Sequence, residues 1–91
     1  MRVAVWNVGK WLPSKFTSGE CRRVSFKGLD DNKTYYLNLD TTHEGYDRWQ
    51  PFIKEGNVLD AQVPQGSKNI NKFGQFTVIK EVQNDSVQIN I

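Results

Sequence analysis

Two stretches of strict alternation, joined by one turn, constrain this chain more than any other feature. In Cys21 to Lys27, Val24 and Phe26 point one way while Arg23, Ser25 and Lys27 point the other. In Thr34 to Asp40, Tyr35, Leu37 and Leu39 share one face, and Thr34, Tyr36, Asn38 and Asp40 share the opposite one. Gly28 to Lys33 lies between them, with Asp30-Asp31-Asn32 supplying turn chemistry. Such a pair reads as an antiparallel hairpin with one apolar and one polar face. It commits the chain to a β architecture in which a second layer or a closing barrel covers the apolar side.

The flanking segments continue this pattern. Val3 to Val8 is short, apolar and β-branched around Trp6, which predicts a strand. Gly9 to Gly19, bounded by glycines and broken by Pro13, reads as a long loop or distorted hairpin. Beyond the central hairpin, Asp47 is placed to cap a short helix through Arg48-Trp49-Gln50-Pro51-Phe52-Ile53, with Pro51 in its first turn and Gly56 as a stop. Val58 to Val63 predicts a fourth strand, Pro64 to Asn71 a polar loop, and Phe73 to Val82 a fifth strand bent at Gly74. Val87 to Ile91 alternates after an Asn84-Asp85 turn and predicts a sixth. With 91 residues, 1–91 reads as a single domain.

Several function classes lose support at this stage. No apolar run approaches the ~20 residues of a membrane-spanning helix, and the opening residues lack a signal-peptide core. A lone cysteine, Cys21, permits no internal disulfide and points to a reducing, cytoplasmic setting. His43 is the only histidine, so one chain offers no multi-histidine metal site. Asp40, His43, Glu44 and Asp47 form an acidic cluster that reads as a solvated loop, with weak divalent-cation binding as the alternative. The glycines are dispersed and form no phosphate loop. The expectation is a protein without catalytic residues or cofactor.

The order of strand, long loop, strand, turn, strand, short helix, strand, loop, strand is similar to that of the OB-fold, a five-stranded Greek-key barrel. Trp49 to Leu59, an apolar helix closing into Gly56-Asn57-Val58-Leu59, resembles that family's junction between helix and fourth strand. Phe73 to Lys80 looks like its fifth strand. The resemblance covers roughly residues 3 to 82 and implies an all-β, five- to six-stranded OB-type barrel. It also implies that a ligand lies across the second and third strands, flanked by the first loop and the loop before the last strand.

Aromatic residues interleaved with cations occur in three places, and that combination suits exposed base faces next to phosphates. The first loop holds Lys10-Trp11 and Lys15-Phe16. The polar face of the hairpin presents Arg23 and Lys27 opposite Tyr36. The polar loop ends in Lys68 and Lys72-Phe73. Trp6, Tyr35, Trp49, Phe52 and Phe76 are expected in the core, as is Phe26 by alternation. Trp11 and Phe16 either fold back on the barrel end or meet a ligand.

Net charge is only +2, so the distribution of charge matters more than its sum. Acidic residues collect at Asp30-Asp31, Asp40 to Asp47, Glu55 to Asp60 and Glu81 to Asp85. Basic residues collect between Lys10 and Lys33 and between Lys68 and Lys80. The resulting expectation is a non-sequence-specific single-stranded DNA-binding protein, with RNA left open as a partner. A protein-interaction or assembly module on the same barrel is the alternative. A chain that opens on Met1 and holds one minimal barrel resembles small phage or viral single-strand binders acting in DNA replication, which would place it in the host cytoplasm. Bacterial relatives carry an acidic tail after the barrel, whereas this sequence closes on an expected strand, so recruitment of replication partners through such a tail is not expected. A homodimer or higher homo-oligomer, pairing through Val87 to Ile91, is a further expectation.

Overall fold

The structure, a computed structural model, describes residues 1–82, so the strand expected at 87–91 lies outside the described residues. It is mostly β. The elements are β1 (Arg2–Val8), β2 (Leu12–Pro13), β3 (Glu20–Gly28), β4 (Thr34–Asp40), the short helix α1 (Tyr46–Trp49) running into a 3-10 turn (Gln50–Phe52), β5 (Val58–Ala61) and β6 (Phe76–Lys80).

They form one six-stranded sheet in which every strand pairing is antiparallel. β4 pairs with one edge of β3, while β2 and β1 occupy successive stretches of its other edge. β5 then pairs with β1, and β6 with β5. The helical segment carries the chain from β4 across to β5. Among the described residues no continuous ladder closes the sheet. One parallel bridge joins Tyr36 of β4 to Asn69. There the Lys68 carbonyl accepts from the Tyr36 amide and the Tyr36 carbonyl accepts from the Ile70 amide, both at 2.8 Å. This arrangement is compatible with a small, partly open barrel.

Alternation explains what lies inside. Val3, Val5, Val24, Phe26, Tyr35, Leu37, Leu39, Leu59 and Ala61 are buried from the strands, with Trp49 and Ile53 from the helical segment and Ile70 from the last loop. Trp49 stacks on Phe76 at 4.0 Å between ring centroids, and Phe52 meets Phe76 edge-on. Asn57, fully buried where the chain enters β5, donates from Nδ2 to the Phe52 carbonyl and accepts the Val82 amide on Oδ1.

The sequence-based expectations need four corrections. Trp6 is not a core residue: it is 62% exposed. Val3 and Val5 already fill the inner positions of β1. A bulge between Val5 and Asn7, where the pairing passes from Val5–Phe26 to Asn7–Ser25, leaves Trp6 as the extra residue and returns Val8 to the inner face. Second, Asp47 does not cap the helix. Gly45 holds that position at φ 95°, in a left-handed backbone that glycine adopts freely, and no side chain bonds the helix start. Third, the last described strand begins at Phe76 rather than Phe73, because the Asn71 side chain accepts the Phe73 amide and its carbonyl accepts the Gly74 amide, forming a turn. Fourth, the strand expected from Val58 to Val63 ends at Ala61.

Candidate nucleic-acid interface

The segment from Gly9 to Gly19 is a hairpin arm, not a free loop. Leu12 and Pro13 pair with Cys21 and Glu20, and the Ser14 amide donates to the Gly19 carbonyl. The Ser14 hydroxyl accepts the amides of Phe16 and Thr17, which fixes the tip. Thr17 Oγ1 then donates to the Asp40 carboxylate at 2.9 Å, and Asp40 also accepts the Thr42 amide and hydroxyl. Those bonds, led by the Thr42 amide, hold the Asp40 carboxyl far below the usual carboxylate range. Gly19 lies so close to the following turn that a Cβ there would stand 2.3 Å from Thr41 Oγ1. The arm is therefore strapped to the end of β4, with Phe16 at its tip 93% exposed.

The loop before β6 is anchored from the opposite side. Arg48 donates to the carbonyls of Lys72 and Gly74, and Trp49 Nε1 donates to the Lys72 carbonyl, each at 2.8 Å. Lys72 Nζ lies 2.9 Å from His43 Nδ1 and 5.4 Å from the Phe73 ring centroid. Between the arm and this loop lies a groove of about 460 Å³, lined by Lys10, Phe16, Arg23, His43 and Lys72 among others. Exposed Leu12 and half-buried Cys21 add apolar surface to its lining.

The groove opens onto the outer face of β1, β3 and β4. The pairing sets Ser25 of β3 beside Tyr36 on one side and beside the Trp6–Asn7 bulge on the other. A small residue thus lies between two aromatic residues on the strands either side of β3, whose backbones are about 10 Å apart at twice the strand spacing. Each ring carries a cation. The Arg23 guanidinium lies 4.8 Å from the Tyr36 centroid, and Lys27 Nζ lies 5.5 Å from that of Trp6. Lys68 sits on the free edge beside Tyr36, where its carbonyl accepts the Tyr36 amide.

Of the residues singled out from sequence, Lys10, Phe16, Arg23 and Lys72 meet in the groove. Tyr36, Lys27 and Lys68 continue from it across the sheet, and Phe73, 64% exposed, stands beside Lys72. Lys15 is exposed on the arm outside the groove lining. Trp11 folds back: it is half-buried, meets Tyr46 edge-on at 5.8 Å and carries Arg22 at 4.4 Å on its ring. Sequence reasoning missed Trp6 and Arg22. The signal for Trp6 was available, since apolar residues at 3, 5 and 8 break strict alternation by one position, as a bulge does. The cluster of Asp40, His43, Glu44 and Asp47 does not form a ligand set. Asp40 is committed to Thr17 and Thr42, His43 faces an ammonium, and among the described residues no three such groups converge. Among the described residues no helix is long and apolar enough to cross a membrane.

Comparison with protein-family models, with curated proteins and with solved structures finds no match for this chain.

Proposed function

We propose that the protein binds single-stranded DNA, with bases stacked on its aromatic side chains and phosphates held by its lysines and arginines. The observation that carries this reading is the Trp6 and Tyr36 pair on one sheet face, each ring with its own cation, with Arg23 shared between the Tyr36 ring and the basic groove. Trp6 is 62% exposed and Tyr36 half-buried; aromatic surface left open on a polar sheet face is costly, and single strands, unlike duplexes, offer free base faces to cover it.

Magnitudes favour stacking over charge as the main source of affinity. A net charge of +2 attracts a polyanion weakly. Three bases on Trp6, Tyr36 and Phe16 contribute about 3–9 kcal/mol at about 1–3 kcal/mol each. Only the upper end of that range, before ordering costs, reaches the roughly −8 kcal/mol of a micromolar dissociation constant, so phosphate contacts must supply the remainder.

Trp6 supplies the test, because Trp49 is buried and Trp11 half-buried, so a stacked base quenches mainly Trp6. Titration with oligo-dT is expected to quench wild-type fluorescence. Trp6→Phe should remove most of the quench and keep affinity within about threefold by anisotropy. Trp6→Ala should weaken binding by about 5-fold or more. Quenching undiminished in both variants would place the ligand elsewhere and overturn the reading.

A further inference from the structure

Two exposed loop tips stand at opposite ends of the ribbon formed by β3 and β4. One is the tip of the arm, where Lys15 is exposed outside the groove lining and Phe16 borders the groove yet keeps 93% of its surface open. The other is the turn between β3 and β4, where Leu29 is 52% exposed next to exposed Asp30 and Asp31. The two tips carry opposite charge. Between Gly9 and Gly19 the arm holds Lys10 and Lys15 and no acidic residue, whereas the turn sets Asp30 and Asp31 against Lys33 alone. Both are ordered by their own hydrogen bonds. The Ser14 hydroxyl accepts the Phe16 and Thr17 amides in the arm. In the turn, the Gly28 amide donates to the Lys33 carbonyl, the Leu29 amide to the Arg2 carbonyl, and Asp31 accepts the Lys33 amide and the Tyr35 hydroxyl. Neither tip therefore needs much further ordering in order to dock, which lowers the entropic cost of a contact. The ribbon keeps them apart within one chain. Its pairing runs from Cys21–Asp40 at the arm to Lys27–Thr34 at the turn, about 20 Å of strand.

We propose that the arm tip of one copy docks on the β3–β4 turn of a second copy, with Phe16 against Leu29 and Lys15 facing Asp30 and Asp31. An apolar centre rimmed by charge is the ordinary anatomy of a protein interface. The occupant is a second copy because each chain carries both complementary tips and cannot join them to each other. The contact is heterologous: each copy offers its arm to one neighbour and its turn to another, so copies add head to tail in an open row instead of closing as a dimer. Two loop tips bury far less than a standard interface, so the contact is weak and reversible. It is also salt-sensitive, because its charges are exposed. The proposal does not depend on the nucleic-acid reading, since both tips are features of the protein alone.

The experiment is sedimentation of the full chain, freed of nucleic acid, at protein concentrations up to about 1 mM, where weak contacts become visible. It is run at about 20 mM and about 300 mM salt, where the screening length falls from about 20 Å to about 6 Å. Lys15→Glu, Asp30→Lys, the double variant and an equimolar mixture of the two single variants complete the set. Both positions are exposed, and circular dichroism of each variant confirms that it folds. Average mass of the wild type should rise with concentration at low salt and return towards that of one chain at high salt. Each single variant sets like charges together, and should associate about threefold or more weakly than the wild type. The mixture and the double variant restore opposite charges at every contact, and should recover association to within about twofold of the wild type. A wild type that stays monomeric at low salt overturns the proposal and leaves the nucleic-acid reading intact. So does a mass that levels off at two chains, which marks a closed dimer. Single variants that associate as the wild type does, or a mixture that fails to recover, place the contact on other residues and overturn it too.

Discussion

Asn57 holds three parts of the molecule together, and replacing it gives the sharpest test of how the fold supports the interface. Its side chain is fully buried, donating to the Phe52 carbonyl at 2.9 Å and accepting the Val82 amide at 2.6 Å. Its own carbonyl accepts the Val5 amide at 2.8 Å. Asn57→Ala keeps this last bond and deletes the other two. Each stranded group costs about 1–3 kcal/mol when buried. Phe52 and Val82 are half-buried, so the lower end applies to both. The small cavity adds about 0.5–1 kcal/mol. The sum is about 2.5–3 kcal/mol, a large part of the ~5–10 kcal/mol expected for a domain this size. Guanidinium unfolding followed by Trp49 fluorescence, with a slope near 2 kcal/mol per molar, should show the midpoint fall by about 1–2 M. A fall below about 0.3 M with unchanged slope would refute the assignment of Asn57 as the tie between the helical segment and β5.

Other consequences are open to simple measurements. Gly19→Ala forces its new Cβ against Thr41 Oγ1 and Thr42 Cγ2, and thermal unfolding should show a loss of about 1–3 kcal/mol from overpacking. Asp40 has its folded-state carboxyl lowered, so its contribution is present above the ordinary carboxylate pKa and is lost as pH falls toward the depressed folded value. Stability of the wild type measured downward from pH 5 should therefore drop more steeply than that of Asp40→Asn, and parallel curves would contradict the strap. Lys72→Ala should reduce the salt dependence of oligonucleotide affinity by about 0.7 in log–log slope. A slope equal to that of the wild type would remove Lys72 from phosphate contact.

The central hairpin was legible in the sequence because strict alternation between Cys21 and Asp40 fixes both register and face, and every expected inner residue of those two strands is buried. Trp6 was misread because a large aromatic was weighed by its type rather than by its place next to Val5 and Val8. Trp11 and Phe16 illustrate a different limit. Both lie in the same arm, yet one folds onto Tyr46 and the other stands at the tip, a choice made by the Ser14 and Thr17–Asp40 bonds rather than by hydropathy. The start of the helix depended on the left-handed backbone at Gly45, which the more familiar Asp47 cap signal obscured. The meeting of Lys10, Arg23 and Lys72 in one groove depends on contacts between distant segments, for which local sequence carries no sign.

Stacking and phosphate contact at one face are tested most directly by the salt dependence of single-strand binding and its comparison with duplex. Affinity of the wild-type protein for a labelled dT oligonucleotide, and for a duplex of equal length, would be measured by anisotropy from about 20 to 200 mM salt. With Lys10, Arg23, Lys27, Lys68 and Lys72 within reach of the strand, the predicted log–log slope lies between about −2 and −3.5, at about 0.7 per phosphate. The single strand should bind at least tenfold tighter than the duplex at every salt concentration. No binding at 20 mM salt and tens of micromolar protein, or a duplex bound as tightly as the single strand, would contradict the account.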